Sequence, residues 1–339
     1  MSSEVTKDGM QGRRPGRDAT VGTDAGRGRR RKRGGEQPVV PDAEFSSYYG
    51  LPVLNAPVWH SREIAGYFFL GGLSGASSLL AAGAQLTGRP ALASRAKIVA
   101  SAAIALGGVA LVKDLGRPSR FVNMLRVLKP TSPMSVGSWL LAAYGPTTAV
   151  AAAAALTHRG RRAGTAATAA TAVLGPLVAT YTAALVGDTA VPAWHEGHRE
   201  LPFVFAGSSA TAAGGIGLVC APLAQAAPAR RLALVGAALE AFAARTMQRR
   251  AGLVGEPYRQ GRAGRLMKLG QLLTAIGLVA AFAGRRRRVA TIGAGLALTA
   301  ASAVTRFGIF EAGRQSVADP RYVVEPQRSR CADAADRAG

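Results

Sequence analysis

Eight long apolar runs separated by short polar segments are the strongest constraint that this 339-residue sequence places on its fold. They cover Ile64 to Thr87, Lys97 to Leu115, Ser135 to Leu156, Ala166 to Val186, Pro202 to Leu223, Leu232 to Met247, Leu266 to Gly284 and Val289 to Ile309. Each has about 16 to 24 residues, close to the length at which a helix crosses the hydrocarbon core of a bilayer. A helix of a soluble protein needs a polar stripe, whereas WLLAAYGPTTAVAAAAAL carries almost nothing charged on any face. Hydrophobic residues make up 48% of the chain and charged ones only 18%, and the charges gather in the first 63 residues and between the runs. That is segregation and not surface patterning. The expected fold class is therefore an all-α integral membrane domain of eight transmembrane helices over 48–312. A basic tail, 1–47, precedes it, and a polar tail, 313–339, follows. The runs are rich in Ala and Gly, and stretches such as GGLSGASS and TAAGGIG suit helices that approach closely in lipid.

The segment MSSEVTKDGMQGRRPGRDATVGTDAGRGRRRKRGGEQPVVP is too polar and glycine-rich to fold alone, so it is expected to be disordered. It lacks the apolar core of a secretory signal, which leaves insertion to the first helix. For a chain of pI about 11.4, its RGRRRKR run reads as a solvated tail or a contact for an anionic lipid surface. Nucleic acid is not expected as a partner.

An eight-span chain with both termini on one side, side A, places Trp59, Trp139 and Trp194 at side A helix ends. Tyr67, Tyr144 and Tyr181 lie toward the same side, with His60, His195, His198 and the longer loops. The side B turns, TGRPALASRAK, THRGRRAG, APARR and GRRRR, are short, basic and free of acids. Aromatic belts ordinarily mark both interfaces, so the one-sided set points to a working face on side A. The short basic turns argue that side B is cytoplasmic, while the basic tail and the arginines of 249–265 argue for side A.

Two cysteines, Cys220 and Cys331, exclude a CxxC motif, and no iron–sulphur cluster or structural zinc is expected in this chain. The histidines fall at span ends or in loops, so no haem held within the spans is expected. Asp188, His195, Glu196 and His198 allow a metal site in principle, and a solvated interfacial loop is the simpler reading. Glu240 lies mid-run in LALVGAALEAFAA, where a charge costs about 2.5 to 3.5 kcal/mol and the neighbouring apolar residues return about 1.5 to 3. It is expected to face the bundle interior, protonated or partnered, either as a working acid or as a lock on helix packing. Glu63 and Asp114 stand at side A ends of the first two spans, with Arg117 and Arg120 as available partners.

The segments YYGLPVLNAPVWH, YFFLGGLSGASSLL, DLGRPSRFVNMLRVLKPTSPMSVGSW and YTAALVGDTAVPAWHEGHRELPFVF occur in order between Tyr48 and about Gly217. In these the chain resembles the NrfD/PsrC family, membrane subunits of polysulphide reductase, nitrite reductase and related molybdoenzyme complexes. The resemblance implies eight helices in two four-helix bundles, without haem, and a quinone (menaquinone or ubiquinone) held near the face that receives an iron–sulphur partner. It implies as partners a four-cluster ferredoxin-like iron–sulphur subunit and a molybdopterin catalytic subunit, in a bacterial cell membrane. Tyr181, from the family's Tyr-Thr motif, and His60 are then candidates to hydrogen-bond the quinone, with Trp59 beside them. Glu63 and Asp114 are candidate proton carriers, and Arg117 would hold Asp114 or the partner. SRFVNMLRVL is expected to lie flat on the membrane as a short amphipathic helix, walling the pocket and receiving the partner. A transporter and a purely structural anchor are the competing classes.

Overall fold

The computed structural model describes residues 4–6, 9–11, 18–19, 53–54, 57, 59–114 and 119–338. Most of the 1–47 tail lies outside them. Its described parts are three short strands, β1 (Glu4–Thr6), β2 (Gly9–Gln11) and β3 (Asp18–Ala19), paired antiparallel in that order. The chain divides into two units, one of Pro57–Arg314 and one of Met1–Ala56 with Gln315–Gly339.

From Ser61 onward the described elements are helical. They are α1 (Ser61–Leu86), α2 (Pro90–Asp114), α3 (Arg120–Met124), α4 (Pro133–Thr157), α5 (Arg161–Gly187) and α6 (Pro192–Glu196). Then come α7 (Leu201–Cys220), α8 (Ala227–Arg250), α9 (Gly261–Ala283), α10 (Arg288–Ala318) and α11 (Arg321–Ala338). A helix satisfies its backbone N–H and C=O groups internally, which lipid demands. Seven of these helices are long and apolar enough to cross a membrane: α1, α2, α4, α5, α7, α9 and α10. The remaining apolar run, Leu232 to Met247, forms α8 and is helical from end to end. It does not join the seven because Arg230, Arg231, Glu240, Arg245, Arg249 and Arg250 dilute it.

Within Pro57–Arg314, α1 packs on α2, α5 and α7, α4 bridges α2 and α5, and α8 lies along α7. α1 and α7 are mostly buried, whereas α2, α4 and α9 turn most of their surface outward. That outer surface carries Leu106, Val109, Val150, Leu272 and Val279, all exposed. Apolar side chains set outward along whole helices fit lipid and not water.

Small residues let the helix backbones meet. A Cβ on Gly75 of α1 would fall on the Gly175 backbone of α5, one on Gly207 of α7 on that of Glu240 and Gly236 of α8, and one on Gly215 on that of Gly295 of α10. Polar side chains then join the helices across these contacts. The buried Tyr144 hydroxyl of α4 lies 3.0 Å from Ser74 Oγ and 2.7 Å from Ser78 Oγ of α1, and Ser74 Oγ donates to the Ala100 carbonyl of α2 at 2.6 Å. At the opposite end from Trp59, Arg288 donates to the Leu218, Val219 and Ala221 carbonyls at 3.1, 2.5 and 2.6 Å, closing the C-terminus of α7. Part of the basic character of the short turns therefore serves helix capping.

Candidate functional site

The start of α1, the ends of α2 and α5, the start of α4 and the short α3 converge on a cavity of about 100 Å³. Its wall is largely apolar: Ile64, Phe68, Leu111, Met124, Met134, Leu141 and Leu185, with Trp59 at the chain's entry to α1. The polar groups are Tyr67, Asp114, Ser138 and Tyr181. Tyr67 and Tyr181 meet edge-on, ring centroids 6.4 Å apart at 65°. Tyr67 is 1% exposed, and its hydroxyl is buried with no hydrogen-bond partner among the described residues. A buried phenol ordinarily finds an acceptor, because leaving it unpaired costs about 1 to 3 kcal/mol.

Gly137 explains how Tyr181 fits. Any Cβ at that position of α4 would overlap the Tyr181 ring, so the glycine of SPMSVGSW seats the aromatic side chain of the neighbouring helix. Asp114 ends α2, its side chain 13% exposed, and Oδ1 accepts from the backbone N–H of His60 at 3.2 Å. The same oxygen lies 3.2 Å from His60 Nδ1. The His60 side chain is 77% exposed, so the pair runs from the cavity wall to the outer surface. Trp59 stacks on Trp194, centroids 5.9 Å apart.

Trp194 belongs to the second half of this face. It is fully buried, its Nε1–H donates to the Ile309 carbonyl of α10 at 2.8 Å, and a Cβ on Gly313 would overlap its ring. The Tyr258 hydroxyl donates to the Ala193 carbonyl at 3.1 Å, and burial pushes that phenol above its usual range. Arg250 forms a two-pronged pair with Glu200, Nε to Oε1 at 2.8 Å and Nη2 to Oε2 at 2.9 Å. His195 Nδ1 lies 3.2 Å from the Gly187 carbonyl and His198 Nδ1 2.8 Å from the His195 carbonyl. Among the described residues no three His, Cys, Asp or Glu side chains gather as metal ligands would.

The structure thus brings Trp59, Asp114 and Tyr181 to the wall of one cavity, while His60 lies outside it, against Asp114. Glu63, half-buried in the first turn of α1, does not line it, and its charge sits where a helix N-terminus favours an acid. Glu240 lies away from the cavity on α8, and Arg117 falls outside the described residues. Sequence reasoning placed Tyr67 on the working face without assigning it a role, and passed over Arg306, a cation inside the last apolar run. The second omission had a visible signal, a charge between AASAVT and FGIF.

A bundle of long apolar helices with a lipid-facing exterior and a cavity at one helical end defines a polytopic integral membrane protein. The chain belongs to the NrfD family: the family model described as polysulphide reductase, NrfD, matches residues 50–231. Every residue of the cavity wall lies within that match. A comparison with curated proteins finds no match.

Proposed function

We propose that this chain is the membrane anchor and quinone-interacting subunit of a multi-subunit oxidoreductase, exchanging electrons between a partner iron–sulphur subunit and the quinone pool of a bacterial cell membrane. The observation that carries the reading is the unpartnered Tyr67 hydroxyl at an apolar cavity. A quinone headgroup is a flat, largely apolar ring with two carbonyl acceptors, and the donors and walls present match that chemistry. Bound there, menaquinone or ubiquinone supplies two-electron, two-proton redox chemistry.

The chain's residues do the rest. The Tyr67 and Tyr181 hydroxyls donate to an oxygen that gains negative charge, a fixed donor being worth most where water is excluded. Phe68, Leu111, Leu141 and Leu185 keep water out, and Trp59, held by Trp194, closes the outer end. Asp114 and His60 move a proton between the cavity and the surface, with Glu63 nearby as a further acid. Val122, Val127 and Leu128, on and beyond α3, are exposed apolar residues where the four-cluster iron–sulphur subunit would dock, carrying electrons from a molybdopterin catalytic subunit. Arg117 belongs to the same segment.

In this reading eight helices cross the membrane, grouped as α1, α2, α4, α5 and α7 to α10. The exposed Leu234, Val235 and Phe242 support a lipid-facing side on α8. The test is kinetic. In the assembled complex, Tyr67→Phe and Tyr181→Phe each remove one hydroxyl, and each should slow quinone turnover about tenfold, the equivalent of one donor's ~1.4 kcal/mol. Electron transfer from the catalytic subunit's substrate to an artificial acceptor should not change. Normal quinone turnover in both variants would sink the proposal.

A further inference from the structure

Arg306 is a cation buried within this membrane domain. It is 1% exposed between α10 and α7, its guanidinium 3.7 Å above the centroid of the Phe205 ring. Nη2 donates to the Phe205 carbonyl at 2.7 Å and to Ser209 Oγ at 2.8 Å. Nε and Nη1 are buried and have no hydrogen-bond partner among the described residues. A guanidinium keeps its charge, and donors of a charged group left unpaired in a membrane interior are strongly disfavoured. Two nitrogens, carrying three N–H bonds between them, therefore call for an acceptor.

Glu240 is the acid that answers them. It is half-buried on α8, where its backbone packs so closely on Gly207 of α7 that a Cβ there would strike it, and Gly207 lies midway between Phe205 and Ser209, the two residues that accept from Arg306. The two charges attract without a direct ion pair. Ser208 and Ser302, whose hydroxyls lie 2.8 Å apart, add further polar groups between α7 and α10. Polar partners separated by more than a hydrogen bond are where buried water binds. The other charges on the surrounding helices do not substitute for Arg306. α7 carries none between Leu201 and Cys220, Arg62 and Glu63 of α1 lie in its first turn, Arg245 and Lys268 are exposed, and Glu311 is half-buried farther along α10.

We propose that Arg306 and Glu240 form a proton-binding site inside the membrane domain, in which water held between guanidinium Nε–H, Nη1–H and the Glu240 carboxylate delivers a proton to that carboxylate and takes it away. The O–H bond formed on Glu240 replaces one broken on a hydronium, no electron moves, and Arg306 stays charged throughout. The ring of Phe205, which Arg306 covers, also meets Phe68, centroids 5.9 Å apart, so one aromatic layer separates the site from the cavity wall. The inference rests on α7, α8 and α10 and does not depend on what fills the cavity.

Infrared difference spectra of the full-length chain in lipid nanodiscs, titrated with pH in H2O and D2O, test it. The expected result is a carbonyl-stretch band of a protonated carboxyl that disappears in Glu240→Gln, shifts on transfer to D2O and is lost as pH rises. In Arg306→Gln the band should persist to a proton concentration at least about tenfold lower, because the opposite charge is gone. Arg306→Lys, which keeps the charge, should titrate nearer the wild type. A Glu240→Gln-sensitive band that ignores D2O, or the absence of any such band, overturns the proposal. So does an unchanged titration in Arg306→Gln. Should Arg306→Gln fail to accumulate, the D2O shift and the Arg306→Lys titration still decide.

Discussion

Two buried tyrosines show how a single hydroxyl separates structure from function. Tyr144 is enclosed, and its hydroxyl is satisfied by Ser74 and Ser78, whereas Tyr67 is equally enclosed and unsatisfied. Tyr144→Phe should therefore lower stability by about 1 kcal/mol and leave quinone turnover unchanged. Tyr67→Phe should do the reverse, losing turnover at equal or greater stability, and thermal unfolding beside quinone kinetics distinguishes the two. Tyr258 adds a pH dependence. Its phenol is raised above an unfolded value of about 10, so its contribution is full below that pH and is lost as pH climbs beyond it. Tyr258→Phe should therefore lose part of the alkaline sensitivity of unfolding between about pH 10 and 12, seen as a smaller fall in midpoint temperature. The one-sided distribution of aromatics was visible in the sequence, and with it the end of the bundle that bears the cavity. Whether a given hydroxyl finds a partner was not, because that depends on which serines neighbouring helices bring to it. Arg306 escaped notice because its long apolar helix absorbs a charge, while Glu240 stood out on a helix that barely can.

At the scale of elements, period and length located the helices, but helices extend past their apolar runs. α2 begins at Pro90, seven residues before Lys97, and α10 continues to Ala318, nine beyond Ile309. Polar residues at helix ends cost little where headgroups and water meet them, so an apolar run marks the lipid-facing part of a helix and not its ends. Helix α8 shows the converse, a continuous helix too charged for its sequence alone to establish a crossing. Gly137 offers a test at this scale. Gly137→Ala adds one methyl against the Tyr181 ring and should displace it, weakening quinone affinity several-fold, on the order of 1 kcal/mol, with helix content unchanged. Circular dichroism alongside quinone titration checks it, and an unaltered affinity would mean that Tyr181 does not contribute to the site.

For the molecule as a whole, the open quantity is the number of crossings. If α8 spans the membrane, reporters inserted at Gln225 and at Gly255, in the connections before and after it, must lie on opposite sides. The same side for both would leave seven crossings and remove the paired four-helix arrangement. Sidedness itself resists reading from charge, and the structure supplies a reason. Arg288 is engaged with the carbonyls of α7, and Arg230 Nε donates to the Ala281 carbonyl of α9 at 2.7 Å, so these arginines would be required whichever way the chain inserted.

The burial of α1 bears on how such a protein is made. It precedes the other long helices in the chain, yet it occupies the middle of the packed helices, with Ser74, Ser77 and Ser78 enclosed. A ribosome delivers it to the bilayer before α5 and α7 exist to cover it. For that interval its serine face must be shielded by the insertion machinery, by a transient pairing with α2, or by a chaperone in the plane of the membrane. A chain stalled after α2 should consequently be a substrate for membrane quality-control proteolysis, and one stalled after α7 should be largely spared.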